Sequence, residues 1–209
     1  MKKQHIQIGD EGFIFKGFAN DIAETLVDTI KELTAMSPLR QMTTKRGYQV
    51  KAEMTSCGHY GWVSDKQGYR YEVLDPLSQQ PWPDLPEIFQ SIAASAAGQA
   101  GFDHFKPDAC LINHYQPGVG MGLHQDKDEL DLSHPIVSIS LGVPAIFIFG
   151  GMHRNSEHNF YLLEHGDVAV WGGKDRLRYH GIKPLKLSHH PLTKQSRYNL
   201  TLRKTGYIS

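Results

Sequence analysis

The chain has 209 residues, 22 Lys and Arg against 22 Asp and Glu, and 40% hydrophobic residues. That length suits one domain with a sizeable core, and a net charge of zero excludes a basic protein that coats nucleic acid without regard to sequence. No apolar run approaches the ~20 residues of a membrane span, and the start MKKQHIQIGDEGF has no apolar secretion segment. The two cysteines, Cys57 and Cys110, are too few for a disulfide framework and lack metal-finger spacing. The expectation is a cytoplasmic monomer, free of membranes, with two buried thiols.

Residues 20–36, NDIAETLVDTIKELTAM, carry Ile22, Leu26, Ile30 and Leu33 at helical spacing, with Asn20 or Asp21 as the expected cap. Residues 86–100, PEIFQSIAASAAGQA, predict a second helix, with Pro86 near its start and Gly101 just past its end. Between them, residues 38–83 are rich in Gly, Tyr, Thr and Trp without helical period and are expected to form strands, hairpins and loops. A basic cluster falls there: Arg40, Lys45, Arg46 and Lys51. It reads equally as a solvated face or as phosphate contacts.

From residue 108 the chain reads as short strands: Ala109–Tyr115, then the loop 117–122, then Ile136–Leu141 and Ala145–Phe149 as a hairpin around Gly142-Val-Pro144. Phe160–Leu163, the turn 164–167 and Val168–Trp171 follow, and residues 197–203 close the series. Short strands with glycine-rich turns and no intervening helix predict a sandwich or jelly roll. The two helices would cover one sheet.

Two motifs carry chemistry. His124 and Asp126 in LHQDKDE, with His180 in RYHG, supply two imidazoles and a carboxylate, the ligand set of non-haem Fe(II) oxygenases. His-x-Asp alone recurs by chance; the run RYNLTLR strengthens it. As a strand it sets Arg197, Asn199, Thr201 and Arg203 on one face and Tyr198, Leu200 and Leu202 on the other. Two arginines directed into one cavity match a dicarboxylate through bidentate forks. Triad and clamp together point to iron with 2-oxoglutarate.

The run NHYQPG…LHQDKDE…PIVSISLG…AIFIFGG…LLEHGDVAVWGG…RYHGI…RYNLTLR, preceded by GYQVKAEMTSCGHYGW and QGYRYEVLDP, resembles the AlkB family of Fe(II)- and 2-oxoglutarate-dependent dioxygenases, which repair alkylated bases. The similarity covers roughly residues 38–204. It implies an α+β, mainly β fold: a double-stranded β-helix (jelly roll) at about 108–204, N-terminal helices on one sheet, and a substrate lid of hairpins and loops at about 38–83, all in one dioxygenase domain over 1–209. His124, Asp126 and His180 would bind Fe(II). Asn113, Tyr115, Arg197, Asn199 and Arg203 would hold 2-oxoglutarate, Arg197 on the distal carboxylate and Arg203 on the iron-side one. Trp62, Tyr69, Tyr71, Asp128 and Arg154 would line the nucleotide site. O₂ is the second cosubstrate, and alkylated DNA, with RNA beside it, is the partner. The implied reaction is oxidative demethylation of bases of the N1-methyladenine and N3-methylcytosine type, releasing formaldehyde, succinate and CO₂.

Three expectations sharpen this. A base handled inside a duplex must be flipped out, and Trp62 with a ligand histidine would sandwich it, with Asp128 reaching its exocyclic amine or positive charge. Lys51 and Glu53 are charged where the family pattern calls for small, uncharged residues, which bears on lesion and strand preference. His59, His114, His134, His165, His189 and His190 are expected to be structural, Trp171 a core residue and Trp82 a loop anchor. Two other readings compete: the same oxygenase chemistry on a protein or small molecule, and a non-catalytic, metal-stabilised binding jelly roll. The second needs no dicarboxylate clamp.

Overall fold

The computed structural model describes residues 4–207. The strands, in chain order, are β1 (His5–Gln7), β2 (Gly12–Phe15), β3 (Arg40–Thr43), β4 (Gln49–Gly58), β5 (Gly61–Asp65), β6 (Gly68–Glu72), β7 (Ala109–Tyr115), β8 (Met121–His124), β9 (Ile136–Gly142), β10 (Ala145–Phe149), β11 (Asn159–Leu163), β12 (Val168–Trp171), β13 (His180–Ile182) and β14 (Arg197–Arg203). The helices are α1 (Ala23–Met36) and α2 (Glu87–Gln99).

An eight-stranded sheet of order β1-β2-β12-β9-β14-β7-β4-β3 faces a four-stranded sheet of order β11-β10-β13-β8, and β5 with β6 forms a separate hairpin. The pairings are antiparallel, as the jelly-roll expectation requires. Alternation along the central strands explains the layering. Leu200 and Leu202 of β14, Ile112 of β7 and Ile139 of β9 point to one face and pack with Leu26, Val27 and Ile30 of α1 and Phe89 and Ala93 of α2. Residues of the opposite face and of the small sheet, such as Ile136, Phe147, Phe149 and Trp171, fill the space between the sheets. The helices therefore cover the large sheet, and the cleft between sheets is left for the site.

Two local expectations change. Residues 136–149 do not form a hairpin: β9 belongs to the large sheet and β10 to the small one. Gly142 adopts φ +97°, a left-handed conformation that glycine accepts without steric cost, and the Val143 amide donates to the Ser196 carbonyl at 3.2 Å. The turn thus folds the chain from one layer to the other. Neither Asn20 nor Asp21 caps α1. They form a 3-10 turn, Asn20–Ile22, and the residue at the cap position, Ile22, has no side-chain cap bond. The Asn20 side chain packs instead against Gly17 and Gly166. The segment 38–83 holds the strands and hairpin expected of it: β4 pairs with β7 and carries β3 on its outer edge, and β5 with β6 stands apart as a hairpin.

The second helix follows its sequence signals. Pro86 occupies its N-cap, and Gly101 follows it at φ +91°. Cys57 and Cys110 are free and buried, opposite one another on β4 and β7. No helix among the described residues is long and apolar enough to cross a membrane.

Candidate active site

The triad is assembled by strand register. His180 of β13 is the cross-strand partner of His124 at the end of β8, so residues 56 positions apart in sequence share one rung. Their ring centroids lie 4.4 Å apart. Asp126 lies just beyond β8 and brings its carboxylate between them: Oδ1 is 3.7 Å from His124 Nε2 and Oδ2 is 3.8 Å from His180 Nε2. One donor atom from each residue falls within 4.8 Å of the others. Both imidazoles are oriented from behind. His124 Nδ1 donates to the Gly122 carbonyl at 2.9 Å and His180 Nδ1 to the Arg178 carbonyl at 3.0 Å. A carbonyl oxygen only accepts, so Nδ1 carries the proton and each Nε2 offers its lone pair to the shared point.

The electrostatics favour a cation there. Burial, and next the neighbouring His124, push His180 down to about 4, so it is neutral at physiological pH, the form that ligates. Burial opposes the charge of Asp126, but the Arg203 guanidinium and both histidines outweigh it and hold the carboxyl below the usual range. Arg203 donates to Asp126 Oδ2 from Nη2 at 2.8 Å and from Nε at 3.2 Å.

A cavity of about 580 Å³ opens from the triad, within the usual range for a small-molecule site. Arg197, Asn199, Thr201 and Arg203 line it together, as do Asn113 and Tyr115 from β7; these strands are paired, with Arg197 opposite Tyr115 and Asn199 opposite Asn113. Arg197 is 1% exposed. Its Nη2 donates to Ser140 Oγ at 2.9 Å and its carbon centre stands 5.4 Å from the Tyr115 ring, but Nε and Nη1 have no partner. Burial pulls its pKa below the ordinary arginine value. A sealed guanidinium with two unbonded nitrogens is a poor structural choice and a good anion receptor. The buried, unbonded Oδ1 of Asn113 adds an open acceptor. Donor set and orphaned cation fit a metal with a dicarboxylate.

Trp62, Tyr69, Asp128 and Arg154 also line the cavity. Tyr69 stacks on Trp62 at 5.5 Å and 16°, and the indole N–H donates to Asp128 Oδ2 at 2.8 Å. Arg154 is exposed and lies 5.3 Å over Tyr179. Tyr71 is the exception. It is buried beside Tyr60 and Ala109, does not line the cavity, and donates its hydroxyl to Glu129 at 2.5 Å. The reason is register: Tyr69 and Tyr71 share a face of β6, but the hairpin is docked at one end, which sinks Tyr71 and leaves Tyr69 at the mouth.

Of the two charged positions Lys51 and Glu53, Lys51 lines the cavity, whereas Glu53 is 2.7 Å from His114 Nδ1. Arg40 of the basic cluster is held by Asp75 at 2.7 Å, while Lys45 and Arg46 are exposed in the turn between β3 and β4. Trp82 anchors its loop through the Glu72 carbonyl at 3.0 Å. His165 accepts from the Gly142 amide at 2.9 Å, a structural task. Trp171 is buried but also lines the cavity, edge-on to His180 at 4.9 Å. Sequence reasoning missed Glu129, Arg176 and Ser140. The first two are charges adjoining the motifs, which was a usable signal; a serine on a buried strand gives none.

Residues 13–203 match the 2OG-Fe(II) oxygenase superfamily. Across 193 residues the chain is 54% identical to alpha-ketoglutarate-dependent dioxygenase AlkB of Escherichia coli (strain K12), covering 92% of this chain and 89% of that one. The chain belongs to this superfamily, and within it to the bacterial AlkB family. An AlkB homolog from Caulobacter vibrioides is 37% identical over 180 residues, covering 86% of this chain and 80% of its own. The solved structure of OsALKBH1 superposes with a TM-score of 0.84 at 28% identity, covering 96% of this chain and all of that chain. Membership in the family implies Fe(II), 2-oxoglutarate and O₂ as the chemical partners of the cavity.

Proposed function

We propose that the protein is an oxygenase that removes N-alkyl groups from nucleic-acid bases, using Fe(II) and 2-oxoglutarate. The observation that carries the reading is the pairing of a two-histidine, one-carboxylate cluster with a buried, unsatisfied arginine in one cavity. A non-catalytic binding jelly roll has no use for Arg197. The relatives are named as AlkB and, for a human protein 32% identical over 124 residues, as nucleic acid dioxygenase ALKBH1, which supports a nucleic-acid substrate over a protein or free metabolite.

In this reading His124, Asp126 and His180 hold the iron. Arg197 takes the distal carboxylate of 2-oxoglutarate, Asn113, Tyr115 and Asn199 its flanks, and Arg203 the metal-side carboxylate. With these bound, the cofactor system supplies an oxidant strong enough to hydroxylate an alkyl carbon on nitrogen, and the product collapses to an aldehyde and the free base. The protein's own residues bind, orient and exclude water. Trp62, stacked on Tyr69, offers a flat surface for a flipped base. Asp128 exchanges the indole N–H for the amine or positive charge of the methylated ring. Arg154 and Lys51 stand where a phosphate chain would pass. The hairpin β5–β6 with the loops around it acts as the lid and 108–204 as the core of one domain. The enzyme works as a monomer in the cytoplasm, where two free thiols stay reduced, on DNA and also on RNA.

The test is direct. The protein is incubated with a single-stranded oligonucleotide carrying N1-methyladenine or N3-methylcytosine, together with Fe(II), 2-oxoglutarate and ascorbate. The oligonucleotide should lose the mass of one CH₂, with succinate formed in equal amount. Succinate without any change in oligonucleotide mass would move the substrate to another class.

A further inference from the structure

The triad ligand Asp126 belongs to a buried cluster of charges, two members of which, Glu129 and Arg176, have no role in the reaction described above. Asp126, Glu129, Arg176 and Arg203 are each 8% exposed or less, two acids against two bases. Glu129 is gripped at both oxygens. Oε1 accepts the Tyr71 hydroxyl at 2.5 Å and lies 3.4 Å from Arg203 Nε; Oε2 accepts from Arg176 Nη2 at 2.9 Å. Arg176 is itself fixed, by the His134 carbonyl at 3.0 Å and by the Asp126 carbonyl. Glu129 therefore has one orientation, and its Oε1 faces the Nε edge of Arg203 as an ion pair. That same edge meets Asp126 Oδ2, the oxygen that faces His180. The rotation of the Asp126 carboxylate, with one oxygen toward each histidine, is thus set by where Arg203 sits.

Tyr71 enters from the lid. It is the cross-strand partner of Trp62, so the two side chains leave the hairpin on one face. One rung of the hairpin grips two consecutive carboxylates: Trp62 on Asp128 and Tyr71 on Glu129.

We propose that Glu129 and Tyr71 are positioning residues that act through Arg203 to set the metal-binding orientation of Asp126. Neither touches the reacting atoms. Groups that orient ligands from behind contribute about 10- to 100-fold to metal affinity. Replacing Glu129 by Gln keeps its shape but leaves the buried cluster one positive charge in excess beside a site for a divalent cation. Replacing Tyr71 by Phe keeps every charge and removes one hydroxyl.

The proposal rests on the ligand assignment above, and the experiment separates the two. Fe(II) affinity is measured anaerobically in the presence of 2-oxoglutarate through the visible charge-transfer band, for wild type, E129Q, Y71F and the double variant, with the melting temperature of each metal-free protein alongside. E129Q should weaken Fe(II) binding about tenfold or more and shift the band, and Y71F should weaken it severalfold. The double variant should be little worse than E129Q, because Tyr71 acts through the carboxylate that E129Q has already altered. Fully additive losses would overturn the chain of action. So would variants that melt lower while binding Fe(II) as wild type does, the signature of a purely structural role. If E129Q does not fold, Y71F decides alone: unchanged affinity and band overturn the proposal. Absence of the band in wild type would sink the ligand assignment, and this proposal with it.

Discussion

Sealing a guanidinium from water with two nitrogens unbonded costs free energy that folding must supply elsewhere. Arg197 is in that position, and its two faces of behaviour can be separated. Arg197→Met removes a buried charge that has one hydrogen bond, to Ser140, and no ion-pair partner. The cost of keeping that charge from water is relieved, so the metal-free, ligand-free variant should melt at or above the wild-type temperature in calorimetry. The same variant should bind 2-oxoglutarate weaker by about 2–5 kcal/mol, the usual loss when one partner of a buried charge pair is truncated. A variant that melts lower and still binds would place Arg197 among structural residues. Asp126 carries the opposite lesson. It is both a ligand candidate and the carboxylate on Arg203, so Asp126→Ala strands a buried arginine. Asp126→Ala should lower the melting temperature of the metal-free protein more than Asp126→Asn, while both abolish Fe(II) binding by titration.

At the scale of elements, the turn after β9 decides whether two sheets form. Gly142 is at φ +97°, and an added Cβ would come 2.3 Å from Thr193 Oγ1 and 2.5 Å from the Ser196 carbonyl oxygen. Gly142→Ala should therefore cost several kcal/mol, through strain at a left-handed position and a clash with backbone. The check is the midpoint of denaturant unfolding, and loss of 2-oxoglutarate binding should accompany it, since Arg197 is paired with Gly142 across the strands. The mistaken hairpin has the same origin. Two apolar runs around Gly-Val-Pro satisfy a local hairpin rule, and only the competing partners, β12 and β14 for β9, β11 and β13 for β10, decide that they separate.

The whole molecule responds to pH through its site. In the metal-free protein His180 titrates near 4, against an ordinary value of 6.5. Between those values the unfolded chain takes up a proton that the folded one refuses, so stability falls as pH falls. The contribution is complete above about pH 6.5 and reaches about 3 kcal/mol of loss by pH 4, at about 1.4 kcal/mol per pKa unit. Asp126, held below its usual range, adds a loss of the same sign at still lower pH. Melting temperature measured from pH 8 to pH 4 without metal should fall through this window. Bound metal should raise it at neutral pH, by mass action on the folded state, and the gain should shrink toward pH 4 as protons compete for the ligand histidines. A flat profile would show that His180 is not sealed as described.

What could be read in the one-dimensional chain was whatever repeats at a fixed local period or sits in a dense motif. The alternation in RYNLTLR predicted which side chains of β14 face the cavity, and Arg197, Asn199, Thr201 and Arg203 do line it, because a strand has no other way to dispose of neighbouring residues. The helices were legible from their apolar stripes, and His124 with Asp126 from a short motif given weight by the arginine strand. The meeting of His180 with His124 and Asp126 was legible from the ligand set and the family resemblance, but the contacts of the hairpin were not. The sinking of Tyr71 onto Glu129 and the bonding of Trp62 to Asp128 depend on how a hairpin docks and which strands become neighbours. Those outcomes minimise exposed apolar surface and unbonded polar groups over the entire molecule, and no window of sequence contains that sum.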